Sequence, residues 1–367
     1  MIDPSSLVDQ YCHGILRTEL GLGTFEAQLA RTEGPPAPGT TLFDTQTGFA
    51  VRRWCPPLLG LEPHCPPALY LARRRELGFL EAGRRLLRGS GITTYLVDTG
   101  PPGDLTPPDE MAGAGGGEAR EIVRLELLAE QVADTSGTVE SFLANLAESV
   151  HAAAAHAVAF TSVAGVRHGL ALAPEPPGPG EVRGAAGRWL GDRRVGGELT
   201  DPVLLRHLLW IAVASGLPVQ LHAGLGEPGA RTDRTDPVLL TDFVRATAGL
   251  GAHLVLLHGY PYHRHAAHLA GVFPHVYADA GAALVRTGAR AATVLAEILE
   301  LAPFGKILFS SGAGGLPELH VVGAQLFREA LARVLGDWVA EGAWSPDDAQ
   351  RVAGMIAAGN ARRVYGL

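Results

Sequence analysis

The sequence predicts a (β/α)8 barrel of the TIM type, and three observations carry that prediction. Eight short apolar runs read as strands: Leu7–Cys12, Thr93–Asp98, Glu121–Glu126, Ala157–Val163, Pro218–His222, His253–His258, Val276–Ala278 and Lys306–Ser310. Longer stretches of helical periodicity lie between them, the order that repeated β–α units require. Histidines mark the ends of three runs: His13 follows the first, His222 ends the fifth and His258 ends the sixth. In a closed barrel those ends form one mouth, where loops after the strands build the catalytic face. An open parallel sheet with a cap is the alternative. The chain of 367 residues suits one barrel domain over residues 1–367, since α/β barrels routinely exceed 200 residues as single units.

Each element has a local reason. In "LVDQYCHGIL" (7–16) a period of two puts Asp9, Tyr11 and His13 on one face. "ELGFLEAGRRLLRGSG" (76–91) has apolar residues at helical spacing and ends in Gly. "DPVLLRHLLWIAVASGLPVQLHA" (201–223) is a complete unit: Asp201 caps, Pro202 takes the first helical position, and Pro218 opens a buried strand. "DPVLLTDFVRATAGLGAHLVLLH" (236–258) repeats the design. Three Pro/Gly-rich segments interrupt the pattern: 31–70 after the first strand, 100–118 after the second and 173–181 after the fourth. All fall on the strand-end side, and 31–70 is the candidate lid or substrate wall. The segment 100–118 reads as a flexible loop.

Composition narrows the function classes. A net charge of −8 argues against nucleic acid or an anionic membrane as the main partner. No apolar run is long enough to span a bilayer, and "MIDPSSLVDQY" lacks the n- and h-regions of a signal peptide. Three cysteines, Cys12, Cys55 and Cys65, make no disulfide framework. The expectation is a cytoplasmic protein acting on a small molecule.

Neutral imidazole is a good ligand for Zn²⁺ and related ions, so His13, His222 and His258 are candidates for a shared metal or acid–base site. Arg167 and His168, just after the fourth strand, are placed to face the mouth, and Arg suits recognition of a substrate carboxylate. Tyr260 and His263 follow His258 on its loop and are candidates for ligand contact, with aromatic packing as the alternative. Cys55, His64 and Cys65 lack the paired spacing and fourth ligand of a zinc site. "GLGEPG" (224–229) formally fits G-x-G-x-x-G, but no apolar helix follows it. His263, His265 and His268 read as residues of an exposed helix.

The segments "LVDQYCHG", "AFTSVAGVRHGL", "PVQLHAGLGE", "LLHGYPYHRHAAHLAGVFPHVYADAG", "KILFSSGAGGLPELHVVGAQLFREAL" and "NARRVYGL" resemble the amidohydrolase superfamily, specifically its amidohydrolase-related branch of metal-dependent hydrolases and decarboxylases. The resemblance implies a (β/α)8 barrel, often oligomeric, with a metal at the strand C-termini. It implies His-x-His on strand 1, a carbamylatable Lys on strand 4, His on strands 5 and 6, and an Asp on strand 8 as ligand and general base. Here the first His of the pair is Tyr11, the Lys position is Thr161 and the Asp position is Gly312. A phenol with a pKa of about 10 is a poor ligand at neutral pH. Thr161 cannot be carbamylated, and Lys306, the one lysine, stands at the wrong end of its strand. General-base help of the kind Gly312 cannot give is typically worth roughly 10²–10⁴ in rate.

Two accounts follow from the resemblance. In one, His13, His222 and His258 hold a single Zn²⁺ or Mn²⁺ weakly, His258 takes part in catalysis, and Glu227, Asp9 or Asp279 replaces the missing base. The reaction is then hydrolysis of a C–N bond, or decarboxylation, of a small polar metabolite. In the other, the barrel keeps fold and pocket as a binding or regulatory protein without turnover.

Overall fold

The structure is a computed structural model that describes residues 6–30, 34, 36–100, 103–225 and 230–367. Eight parallel strands pair in sequence order: β1 (Leu7–Cys12), β2 (Ile92–Asp98), β3 (Glu118–Arg124), β4 (Ala159–Ser162), β5 (Val219–Ala223), β6 (Leu254–His258), β7 (Val276–Asp279) and β8 (Ile307–Leu308). The seam between β8 and β1 is bridged by Gln10 N–H to Phe309 O (3.1 Å), His13 N–H to Ala313 O (2.7 Å) and Gly312 N–H to Tyr11 O (3.1 Å). The sheet is thus a nearly closed (β/α)8 barrel.

Strands such as "VQLHA" and "LVLLH" are buried along their whole length, as parallel strands covered on both faces must be. One face of the sheet meets the helices through Phe160, Leu221, Leu256 and Phe309. The other fills the barrel interior with Val8, Leu96, Ile122, Val255, Leu257 and Leu308. The C-terminal segment plugs the end opposite the mouth. Asn360 donates to Ile307 O (2.8 Å), and Tyr365 Oη reaches Gln10 Oε1 (2.6 Å) inside. Lys306 belongs to that end, where it donates to the carbonyls of Ala270 and Phe273.

The unit at 201–223 forms as its sequence implies, with Asp201 accepting from the N–H groups of Val203 and Leu204 ahead of the helix Pro202–Ala214. Its apparent repeat does not give one helix. Asp236 caps a 3₁₀ turn, Pro237–Leu240, followed by a short helix, Thr241–Ala246. The insertion after β1 is more ordered than its prolines suggest. Thr45 accepts from Gly48 N–H and starts the helix Gln46–Leu58, and Pro56 and Pro57 fall in its last turn. The segment after β2, expected as a flexible loop, contains the helix Pro108–Gly115. Asp109 and Glu110 sit in its first turn, where carboxylates favour the helix dipole. Gly116, at φ 72°, ends it.

A buried ion pair fastens the insertion to the barrel. Glu318, in the first turn of the helix Pro317–Ala340, accepts from Tyr70 Oη (2.8 Å) and Arg74 Nε (2.9 Å) on the helix Pro67–Ser90. Removing one partner of such a pair leaves a buried uncompensated charge. Arg74→Met should therefore lower the stability measured by urea unfolding by about 3–5 kcal/mol. A loss under about 1 kcal/mol, the range of an exposed pair, would show that the pair does not fasten the insertion.

Candidate active site at the strand C-termini

The site begins with an irregularity in β1. Asp9 pairs with Tyr95 and Cys12 with Val97, so three steps along β1 match two along β2. An extra residue of this kind re-aims the side chains that follow it. Gln10 and Tyr11 consequently both lie inside the barrel: Gln10 Nε2 reaches Asp279, and the Tyr11 ring packs among interior residues. Asp9 faces out, accepting from Ser311 N–H (2.7 Å) and the Ser311 hydroxyl. The expectation that Asp9 shares a face with Tyr11 and His13 is corrected, and Asp9 is not available inside as a base.

His13, His222 and His258 gather around Tyr11. The Tyr11 ring centroid is 5.1 Å from that of His13, 5.1 Å from that of His222 and 5.4 Å from that of His258, each edge to face. The His222 and His258 rings are themselves 5.0 Å apart. Tyr11 Oη donates to Asp98 Oδ2 (2.9 Å) and lies 3.3 Å from His13 Nε2, while His13 Nδ1 lies 3.0 Å from the Asp98 carbonyl oxygen. Arg124 Nη2 donates to the same Asp98 oxygen (2.7 Å), and Gly100 N–H to the other (2.8 Å). Burial pushes the Asp98 carboxyl up, but Arg124, His13 and the Gly100 N–H outweigh it and hold the group below its ordinary value. The sequence reading passed over Asp98 and Arg124. Their signal was a charged residue closing β2 and another closing β3, its neighbour.

His258 has φ 67°, so the chain leaves β6 in a tight left-handed turn. Asp279 supports that turn by accepting His258 N–H (3.1 Å) on one oxygen and Gly281 N–H (3.1 Å) and Gln10 Nε2 (3.3 Å) on the other. Burial pushes its carboxyl above the ordinary value. Both oxygens are committed, so Asp279 acts as a brace. Gly281 is required by packing, because a Cβ there would lie 1.6 Å from Ser310 O.

The three imidazoles meet without forming a preset ligand cage. Among the described residues, no choice of one nitrogen from each of His13, His222 and His258 brings all three within 4.8 Å of one another. The Tyr11 ring packs against all three. Thr161 is fully buried, and its hydroxyl has no hydrogen-bond partner among the described residues. Gly312, at φ 58°, contributes no side chain, and a Cβ built on it would lie 3.6 Å from His258 Cε1. The residues implied as ligands for one divalent ion therefore do not fit that ion as they stand.

Beside His258 and Gly312 lies a cavity of about 250 Å³. Its walls include Thr45 and Gln46 from the insertion, Arg286 from the segment after β7, and Ser311. Within the insertion, Thr45 and Gln46 are among the residues that line this cavity. The other sequence candidates fall elsewhere. Arg167 pairs with Glu198 (2.7 Å) and Glu130 (3.6 Å). His168 is half-buried at the end of the short helix Ala164–Arg167 and does not line this cavity. Tyr260 stacks on His263 (centroids 5.5 Å apart), and His263 Nε2 is 2.6 Å from Glu297 Oε2. His263 is therefore buried, while His265 and His268 are exposed. Glu227 lies outside the described residues. Cys55, His64 and Cys65 do not converge on a common point.

Known proteins similar to this chain are found by family, by structure and by sequence. The family model described as "Amidohydrolase" matches residues 89–367. A structure from Lactobacillus casei ATCC 334, named as a candidate metal-dependent hydrolase, is 26% identical with a TM-score of 0.85, covering 100% of this chain and 96% of that one. Uronate isomerase from Thermotoga maritima shares the fold at 13% identity and a TM-score of 0.63, covering 98% of this chain and 94% of its own. Among curated proteins, Protein fluG of Emericella nidulans is 34% identical over 152 residues, 41% of this chain. That match spans 17% of the relative's own length.

The Asp98 geometry gives a pH signature. A carboxyl held low in the folded state contributes stability that is full above its unfolded value, about 3.9, and is lost as pH falls through the folded value. Arg124→Met should raise the folded value and flatten this acid-side loss, while costing about 3–5 kcal/mol near neutrality through the unpaired buried carboxylate. Urea unfolding from about pH 7 to about pH 2 reads both. An unchanged acid limb in the variant would mean that Arg124 does not set the charge state of Asp98.

Proposed function

The chain belongs to the amidohydrolase family, and on that premise we propose that it binds a small polar metabolite at the strand C-termini without holding a catalytic metal among its three histidines. The observation that carries this reading is the position of Tyr11. Its ring packs against all three imidazoles, and its hydroxyl donates to Asp98. Thr161 and Gly312 point the same way, since neither supplies the group that would bridge metals or take a proton from bound water. The cavity beside His258, with Gln46, Arg286 and Ser311 in its wall, supports a polar ligand.

A second reading is favoured by one observation, the Lactobacillus casei neighbour whose name carries metal dependence. On it, one Zn²⁺ or Mn²⁺ sits on His13, His222 and His258, with Glu227 as base, and the protein hydrolyses a C–N bond or decarboxylates its substrate. Both readings set the protein in a reducing cytoplasm, in keeping with its three free cysteines, and as an assembly of like chains. No helix among the described residues is long and apolar enough to cross a membrane.

The two readings differ in what a chelator does. A panel of small amides and carboxylates is screened by thermal unfolding and by product formation, with and without chelator. The proposed reading expects a ligand that raises Tm, by mass action on the folded state, with no turnover and no effect of chelator. Turnover abolished by chelator and restored by Zn²⁺ or Mn²⁺ would overturn it. The double substitution Tyr11→His with Gly312→Asp should add metal affinity that the natural chain lacks. Equal metal content before and after substitution would contradict that.

A further inference from the structure

We propose that Asp9, Cys12 and His320 form a buried zinc site on the outer face of the barrel, separate from the mouth. The irregularity in β1 that turns Tyr11 inward leaves Asp9 and Cys12 facing the helical layer, where the helix Pro317–Ala340 brings His320 against them. Potential donor atoms of the three side chains, a carboxylate oxygen, the Cys12 sulfur and an imidazole nitrogen, all lie within 4.8 Å of one another. Each residue is 0% exposed.

The second observation concerns His320 itself. Among the described residues neither of its ring nitrogens has a hydrogen-bond partner, although Nδ1 lies 3.5 Å from Asp9 Oδ2. A buried polar group left in that condition destabilises the fold, and native interiors rarely leave one so. A cation bound between His320 and Asp9 takes up one of those nitrogens and gives the buried carboxylate a counter-charge. The donor set of nitrogen, sulfur and oxygen matches zinc, which accepts all three and is usually tetrahedral in structural sites. Asp9 also accepts from Ser311. A carboxylate has lone pairs for both duties, so the ion would be oriented from behind by a hydrogen-bonded ligand. Ser311 Oγ, on Asp9, is a neutral oxygen beside the set. The ion would pin β1 and the chain after β8 to the helix Pro317–Ala340, at the seam where the barrel closes. Its role is structural, since no member of the set reaches the mouth.

The test uses the full chain, untagged, produced in medium supplied with Zn²⁺ or with Co²⁺. Elemental analysis should find about one equivalent of metal, and the cobalt form should show thiolate-to-metal charge-transfer absorption in the near ultraviolet. Cys12→Ser should lose that band, and His222→Ala should keep both band and metal. X-ray absorption of the zinc protein provides a check that needs no variant: one sulfur at about 2.3 Å with nitrogen or oxygen at about 2.0–2.1 Å. No bound metal, a shell without sulfur, a band that survives Cys12→Ser, or metal lost in His222→Ala would each overturn the proposal.

Discussion

Tyr11 Oη donates to Asp98 Oδ2, and Arg124 holds that same oxygen from the neighbouring strand. This shared oxygen fixes the mouth of the barrel. It ties β1, β2 and β3 together at their C-terminal ends, sets the Tyr11 ring upright, and so decides where three imidazoles from β1, β5 and β6 can stand. A histidine in place of Tyr11 would turn a nitrogen toward the other rings. The phenol instead donates to the carboxylate, with its oxygen 3.3 Å from His13 Nε2, and packs its ring against His222 and His258. Asp98 keeps its charge because the guanidinium offsets burial. The tyrosine and the ion pair are therefore one device.

The rest of the interior serves the same end. A polar column runs down the barrel from His258 through Asp279 to Gln10, and on to Gln220 and Tyr365. Each member is buried, and mutual hydrogen bonds take the place of most of those that water would make. Its upper end holds the strained turn at His258, and its lower end seats the C-terminal plug. The cavity opens beside this column, between the β8 turn and the insertion helix Gln46–Leu58. That helix is in turn fastened through its neighbour Pro67–Ser90 by the Arg74–Glu318 pair. A ligand entering the cavity would thus meet a wall braced against the closing seam of the barrel.

Much of this was legible from residues alone. The apolar runs located all eight strands to within a few positions, because parallel strands buried on both faces leave continuous hydrophobic stretches. The strand-end histidines also converged, because a closed barrel sends every strand end to one rim. What the sequence hid was local. Period-two reasoning placed Asp9 beside Tyr11 and His13, and one extra step in β1 moved it to the opposite face. Pro56 and Pro57 disguised the helix Gln46–Leu58, since prolines in a last turn look like the end of any helix before them. The glycines around residue 115 concealed the helix Pro108–Gly115 in the same way. Arg167 read as a substrate clamp because its partners, Glu130 and Glu198, are distant in sequence. Asp98 and Arg124 escaped notice because a charge that ends a strand has no visible partner until the barrel closes.

Either the three imidazoles pack against the Tyr11 ring without an ion, or they bind one and displace the phenol. Crystals of the natural chain grown with Zn²⁺ and measured at the zinc absorption edge address this directly. The account predicts no anomalous peak among His13, His222 and His258, with Tyr11 Oη still on Asp98. A strong peak bonded to those three histidines, with the phenol displaced from Asp98, would contradict it.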